Sequence, residues 1–360
     1  MNIPLLTATA ILLGLTLPPH TALAGPETNT TQAAQAAPYQ PQADWPATAV
    51  RDRLGICSSI AVNSKNEVHV LHRANRTWTT PFPAEPIAEP SLVVIDHASG
   101  KLLRSMGSNF FAMPHGIFID REDNLWVTDV ALHQVVKLSP TGEPLLLLGE
   151  SRKPGADPQH FNMPTDVAQL TDGSILVSDG YKNARVIHFD QSGRYLGEWG
   201  RPGKGPGEFR LPHAIATNSQ DHVFVCDRTN ARVQVLNAEG SFLRQWDLTS
   251  TGTPYGMTLL PNGNAAIVSQ DPQMPNGPHI TLVSPDGSVL HQMAMTGSSA
   301  GELRGGHDIA CAKDGSLYVA EIGNRRIQKF TPTPAPSEPS HRPKKTSSTA
   351  PQKNPSQKAR

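Results

Sequence analysis

The chain has 360 residues, enough for one large domain or two ordinary ones. Its 31 basic and 31 acidic residues cancel, which removes any global electrostatic case for nucleic acid. Its three cysteines, Cys57, Cys226 and Cys311, are an odd number, so complete pairing is excluded.

Residues 1–24 read as a secretory leader. Leu5 to Leu17 is an apolar stretch, and Ala22-Leu23-Ala24 before Gly25 fits the small-residue cleavage rule. An exported protein, periplasmic or secreted, is therefore expected. No later segment is long and apolar enough to span a membrane, so none is expected in the mature chain. Residues 25–45, rich in Ala, Gln, Thr and Pro, read as a disordered linker.

Residues 46–331 hold a repeat. Each copy opens with a short apolar strand: Ile60-Ala-Val, Ile117-Phe-Ile, Val167-Ala, Ile215-Ala, Met257-Thr-Leu and Ile309-Ala. A Gly/Asn/Asp turn follows, then a second strand such as Leu125-Trp-Val-Thr or Val223-Phe-Val-Cys. A third strand (Arg185-Val-Ile-His-Phe) and a fourth (Tyr195-Leu-Gly-Glu-Trp) complete the unit. Copies recur every 42 to 57 residues, counted over Ser58, His115, Thr165, His213, Tyr255 and His307. Six four-stranded antiparallel blades closing into an all-β propeller is the predicted architecture. The sixth copy lacks a fourth strand, and Ala47 to Arg53 is the expected donor that closes the ring. By register the cysteines fall at different heights, so no bridge is expected and all three are read as small core residues. Residues 332–360, with seven prolines, six basic residues and one acidic residue, read as a disordered tail.

Position by position, the six copies run Ser58, His115, Thr165, His213, Tyr255, His307. Histidine thus occupies every second blade, and ring closure would bring the three imidazoles to the axis about 120° apart. Three imidazoles with a fourth position free is how proteins hold a catalytic zinc. Arg73 and Arg228 share a second register, just after the second strands of blades one and four, which face each other. Opposed guanidiniums over a metal suit a substrate carboxylate. Tyr181, one position further on in blade three, would lie near both; its ionisation would be favoured there and it would act as a base. Arg185, Arg232 and Arg326 recur in an Asn-X-Arg motif that reads as structural glue. Asp308, next to His307, is a candidate ligand for a separate hard cation, with the Ile60 and Ile117 carbonyls at matching register.

These residues resemble a known family. The segments Pro114-His-Gly-Ile, Leu125-Trp-Val-Thr-Asp-Val-Ala-Leu-His-Gln-Val, His160-Phe-Asn-Met-Pro-Thr-Asp-Val, Val177-Ser-Asp-Gly-Tyr, Leu211-Pro-His and His307-Asp resemble an NHL-repeat propeller, and more narrowly peptidyl-α-hydroxyglycine α-amidating lyase. The resemblance implies zinc on His115, His213 and His307, and structural calcium on Asp308 with the Ile60 and Ile117 carbonyls. It implies Tyr181 as base and Arg73 and Arg228 as carboxylate-binding residues. The implied reaction cleaves a C-terminal α-hydroxyglycine, on a peptide or N-acyl substrate, to an amide and glyoxylate. Lys182 departs from the family, whose animal members often carry a disulfide cysteine there, and Gly305-Gly306 replaces a methionine-containing pair. Competing readings are a non-catalytic exported propeller that binds a ligand or protein, and a propeller lactonase or antibiotic lyase. A monomer without nucleic-acid partners is expected.

Overall fold

Ring closure is the fold's central problem, and a three-residue strand near the amino terminus solves it. The computed structural model describes residues 38–270, 277 and 279–333. The leader, most of the linker and nearly all of the tail lie outside the described residues. Strand β1 (Tyr39–Pro41) runs antiparallel to the last strand, with Tyr39 opposite Pro332 and Pro41 opposite Phe330. The donor is therefore upstream of the expected Ala47–Arg53, and inside the stretch read as linker. Three residues, one a proline, are too few to show alternation; the unpaired edge of the last strand selects them. The segment expected to donate instead carries a single helical turn, α1 (Thr48–Arg51), whose Val50 is buried between the first and last blades. Trp45, also buried, packs on Tyr318 with ring centroids 4.9 Å apart.

Blade one is β2 (Cys57–Val62), β3 (Glu67–His72), β4 (Leu92–Asp96) and β5 (Leu102–Met106). Blade two is β6 (Pro114–Ile119), β7 (Leu125–Asp129), β8 (Gln134–Leu138) and β9 (Pro144–Leu148). Blade three is β10 (Asp166–Gln169), β11 (Ile175–Asp179), β12 (Arg185–Phe189) and β13 (Tyr195–Trp199). Blade four is β14 (Pro212–Thr217), β15 (Val223–Asp227), β16 (Arg232–Leu236) and β17 (Phe242–Asp247). Blade five is β18 (Thr253–Leu259), β19 (Ala265–Gln270), β20 (Ile280–Val283) and β21 (Val289–Met293). Blade six is β22 (Gly306–Cys311), β23 (Leu317–Glu321), β24 (Arg326–Pro332) and β1. The last strand thus takes in Pro332, one residue beyond the expected domain end.

Blades one to five are meanders of four antiparallel strands, and blade six is a three-stranded meander completed by β1. Second strands such as β7 and β11 are buried along their whole length, because both faces pack on neighbouring blades. Fourth strands are the most exposed, and in Leu102–Met106 half-buried and exposed residues alternate because one face meets water. Between blades one and two, Leu71, Leu92, Phe111, Leu125 and Val127 form one buried cluster. Truncating such a leucine to alanine costs about 2–5 kcal/mol. The tight turn between β10 and β11 needs Gly173 at φ +88°, where a Cβ would also strike Gln191.

The Asn-X-Arg arginines act as the structural reading expects. Arg185 bonds Asp179 (3.1 Å) and the His160 carbonyl (2.7 Å). Arg232 bonds Asp227 (3.0 Å) and the Glu208 carbonyl (2.7 Å), and Arg326 bonds Glu321 (2.6 Å) and the Glu302 carbonyl (2.8 Å). Each ties its blade to the loop arriving from the preceding one. All three cysteines are free; Cys57 and Cys226 are buried and Cys311 half-buried. Among the described residues no helix is long and apolar enough to cross a membrane.

Candidate metal centre

A β-bulge aims each histidine. In β6 the ladder register shifts between Pro114 and Ile117, in β14 between Pro212 and Ala214, and in β22 between Gly306 and Asp308. His115, His213 and His307 sit at these shifts. A bulge releases one residue from pairing and re-aims its side chain. The sequence pattern placed these residues just before the first strands; they lie inside them. Ser58 and Tyr255 occupy the same bulge in blades one and five.

The three imidazoles meet as a near-equilateral triangle, with ring centroids 4.8, 4.8 and 4.9 Å apart. One ligand nitrogen from each lies within 4.8 Å of the others, and all three residues are buried. Each Nδ1 faces a backbone carbonyl of the next blade: His115 to Thr165 (2.8 Å), His213 to Tyr255 (2.6 Å), His307 to Ser58 (2.6 Å). A carbonyl only accepts, so Nδ1 carries the proton and Nε2 presents its lone pair. The intervening positions Ser58, Thr165 and Tyr255 thus orient the ligands through their backbones.

Burial pushes all three imidazoles well below their ordinary range, His307 to about 3. For His115 the His307 and Arg73 charges add to burial; for His213 the Arg228 charge does. Neutral, oriented, convergent imidazoles fit a transition-metal dication with one coordination position left open.

Tyr181 stands over this triangle. Its hydroxyl lies 3.0 Å from His115 Nε2 and 3.2 Å from His213 Nε2. Burial raises the phenol above its ordinary value and outweighs the Arg228 and Arg73 charges, which act the other way. The Arg228 guanidinium lies 5.5 Å from the Tyr181 ring centroid and 4.5 Å from the Tyr255 ring centroid.

Arg73 is buried. Its Nε donates to the Pro114 carbonyl (2.8 Å), adjacent to His115, while its Nη2 has no hydrogen-bond partner. Burial lowers it to about 10, so it stays charged at neutral pH. An unpartnered buried guanidinium nitrogen is costly unless an anion completes it. Arg73, Arg228, Tyr181, Tyr255 and His307 share the wall of one cavity of about 720 Å³. Of the sequence-derived constellation, Arg73, Tyr181, Arg228 and His307 line this cavity, and His115 and His213 meet the Tyr181 hydroxyl.

Asp308 faces a second cavity of about 280 Å³, which Ile60 and Ile117 also line. Its carboxylate accepts from the Ser59 hydroxyl and from the Ile60 N–H (3.1 Å), so it meets blade one through a donor as well as standing near the expected carbonyl ligands. Asp166 lines the same cavity and was missed. It accepts from the Ile215 N–H at 3.0 Å, repeating in blades three and four what Asp308 does in blades six and one. Burial raises both carboxyls, and the Asp308 charge raises Asp166 further. The available signal was register: Thr165-Asp166 matches His307-Asp308. Trp78 and Phe82 were also missed; they sit in a loop that the repeat pattern does not cover.

Comparison with known proteins agrees with this architecture. The family model DUF5128, a 6-bladed beta-propeller, matches residues 164–259. Peptidyl-glycine alpha-amidating monooxygenase A of Xenopus laevis is 33% identical over 81% of this chain and 33% of its own length. The chain therefore spans about a third of the first curated relatives it matches. Peptidyl-alpha-hydroxyglycine alpha-amidating lyase 2 of Drosophila melanogaster is 31% identical over 80% of this chain and 74% of its own. A probable lyase of that name from Caenorhabditis elegans is 32% identical over 76% and 82%. Solved structures share the fold at lower identity. A gluconolactonase from Xanthomonas campestris aligns with TM-score 0.57 and 12% identity over 82% of this chain and 95% of that one. A streptogramin B lyase aligns with TM-score 0.52 and 15% identity over 78% and 95%.

Proposed function

Because the chain belongs to the peptidyl-α-hydroxyglycine α-amidating lyase family, we propose that it is a zinc-dependent carbon–nitrogen lyase. It cleaves a C-terminal α-hydroxyglycine to an amide and glyoxylate. The observation that carries the reading is a three-histidine ligand set that meets the Tyr181 hydroxyl, with Tyr181, His307 and two guanidiniums lining one cavity.

Arg73, with its unpartnered Nη2, and Arg228 bind the substrate carboxylate, which fixes the α-carbon beneath Tyr181. His115, His213 and His307 would hold the zinc ion. When bound, a zinc ion supplies a Lewis acid for the substrate hydroxyl and a positive charge that favours phenolate at Tyr181. Tyr181 takes the hydroxyl proton. The O–H electron pair closes the carbonyl of glyoxylate, the C–N bond breaks toward nitrogen, and Tyr181 returns the proton to that nitrogen. Atoms and charge balance, and no oxidant is required.

Asp308, with the Ile60 and Ile117 backbone and with Asp166, is proposed to hold a structural calcium ion. The leader read in residues 1–24 is proposed to export the protein. The deciding assay is glyoxylate release from N-benzoyl-α-hydroxyglycine by the purified protein. Release that disappears on chelation and returns with zinc supports the reading, and absence of release from the zinc-loaded protein overturns it.

A further inference from the structure

The loop between β3 and β4 lines the cavity beside the metal centre. Residues 77–82 form a strap along the cavity wall. Prolines at 81, 83 and 86 keep it out of any ladder. It is tied down at both ends. Arg76 donates to the Glu85 carbonyl (2.7 Å) and the Ala112 carbonyl (2.8 Å), and Arg152 bonds the Ala84 carbonyl. Phe82 packs into the buried cluster of Ala112, Met113, Val130, Ala131 and Met163, beside Tyr181.

Trp78 is different. It is 42% exposed, an uncommon state for a tryptophan in an anchored loop. Its ring lies 4.9 Å from Tyr181 and 5.1 Å from Phe82, centroid to centroid, and the Arg73 guanidinium is 5.9 Å from it. One edge of the indole is therefore continuous with the groups that contact the reacting unit. The other edge faces open cavity.

The cavity wall carries Arg73, Arg76, Lys182, Arg228 and His307 together with the apolar Ile56, Trp78, Phe82, Met163 and Ile322. About 720 Å³ is the size of a site for a drug-sized ligand, more than a hydroxyglycine unit fills. With the carboxylate at the arginines and the α-carbon under Tyr181, the strap is within reach of the acyl group, because the Trp78 ring lies 4.9 Å from Tyr181 and 5.9 Å from the Arg73 guanidinium.

We propose that Trp78 and Phe82 form the acyl subsite and that the substrates are hydroxyglycines carrying a bulky apolar or aromatic acyl group, such as a peptide ending in an apolar residue before the hydroxyglycine. This rests on the lyase reading for the position of the carboxylate. The subsite works by burying apolar acyl surface against an indole already held in place, so little ordering cost opposes binding.

The test pairs kinetics with binding. Glyoxylate release is measured on N-acetyl- and N-phenylacetyl-α-hydroxyglycine, and calorimetry ranks the unreactive N-acetyl- and N-phenylacetylglycines. Wild type is expected to favour the phenylacetyl member on the order of 10-fold or more in kcat/KM and in affinity. Trp78→Ala is expected to bring both ratios toward one, chiefly through KM, and Trp78→Phe to keep most of the preference. Equal losses on both substrates in Trp78→Ala, or no preference in wild type, would overturn the subsite. If zinc-loaded wild type releases no glyoxylate, the lyase reading fails by itself. The calorimetric ranking of wild type and Trp78→Ala then decides the subsite alone.

Discussion

The Nδ1 nitrogen of His307 lies 2.6 Å from the Ser58 carbonyl oxygen, across 249 residues of sequence. This bond joins the last blade to the first at the axis, while the β1–β24 ladder ties the segment preceding blade one into the last blade. It also sets the tautomer of the third ligand. Ring closure and metal-site assembly are therefore one event: an open ring has two oriented imidazoles, a closed one has three.

Metal content is expected to follow directly. The purified wild type should carry about one transition-metal ion per chain, and His213→Ala should lose most of it, since two imidazoles leave an incomplete ligand set. Elemental analysis of the two proteins side by side checks this. Equal content in both would remove His213 from the site.

Tyr181→Phe is expected to lower turnover on the order of 10²-fold or more, the usual scale for a general base. Metal content should be unchanged. Arg73→Ala and Arg228→Ala should raise KM as well as lower kcat, because they meet charge already present on the substrate. Steady-state kinetics on an α-hydroxyglycine, with metal assayed in parallel, separates the two cases. A fully metallated Tyr181→Phe working at the wild-type rate would place the base elsewhere.

Calcium is expected to raise the melting temperature in a concentration-dependent way, because the folded state alone brings Asp308 and Asp166 to one cavity. Asp308→Asn should abolish most of the shift and Asp166→Asn should weaken it. Thermal unfolding with calcium and with a chelator reads this out. A melting temperature indifferent to both would count against the site.

Acid is expected to destabilise the fold through His69 and His72, which lie outside the metal centre. Burial pushes each down to about 4, against an unfolded value near 6.5. For a base lowered on folding, the unfolded chain binds protons first. The stability each contributes is therefore present above about pH 6.5 and is lost as pH falls toward 4, at most about 3 kcal/mol apiece. Urea unfolding of wild type and His69→Gln between pH 7 and pH 5 should give a shallower pH slope for the variant. Parallel slopes would show that His69 does not titrate on unfolding.

The sequence by itself determined the blade count, the strands and the alternation of histidines, because each is written locally as period-two apolar runs, turn residues and a recurring register. The same register put Arg73, Tyr181 and Arg228 at one height. Register does not say how a backbone deviates from its ladder. Only the tertiary structure decided that His115, His213 and His307 leave their strands at bulges, and that the next blade's carbonyls fix their tautomers. It also decided that a three-residue segment, Tyr39–Pro41, closes the ring, because an open strand edge accepts any chain that can pair, whatever its pattern. Burial is likewise a property of the assembled ring. It set the Tyr181 phenol against the pull of two arginines and raised the Asp166 carboxyl, to which the Asp308 charge adds. Trp78 lies outside the repeat, so its place above Tyr181 follows from the anchoring of its loop and from no periodicity in the chain.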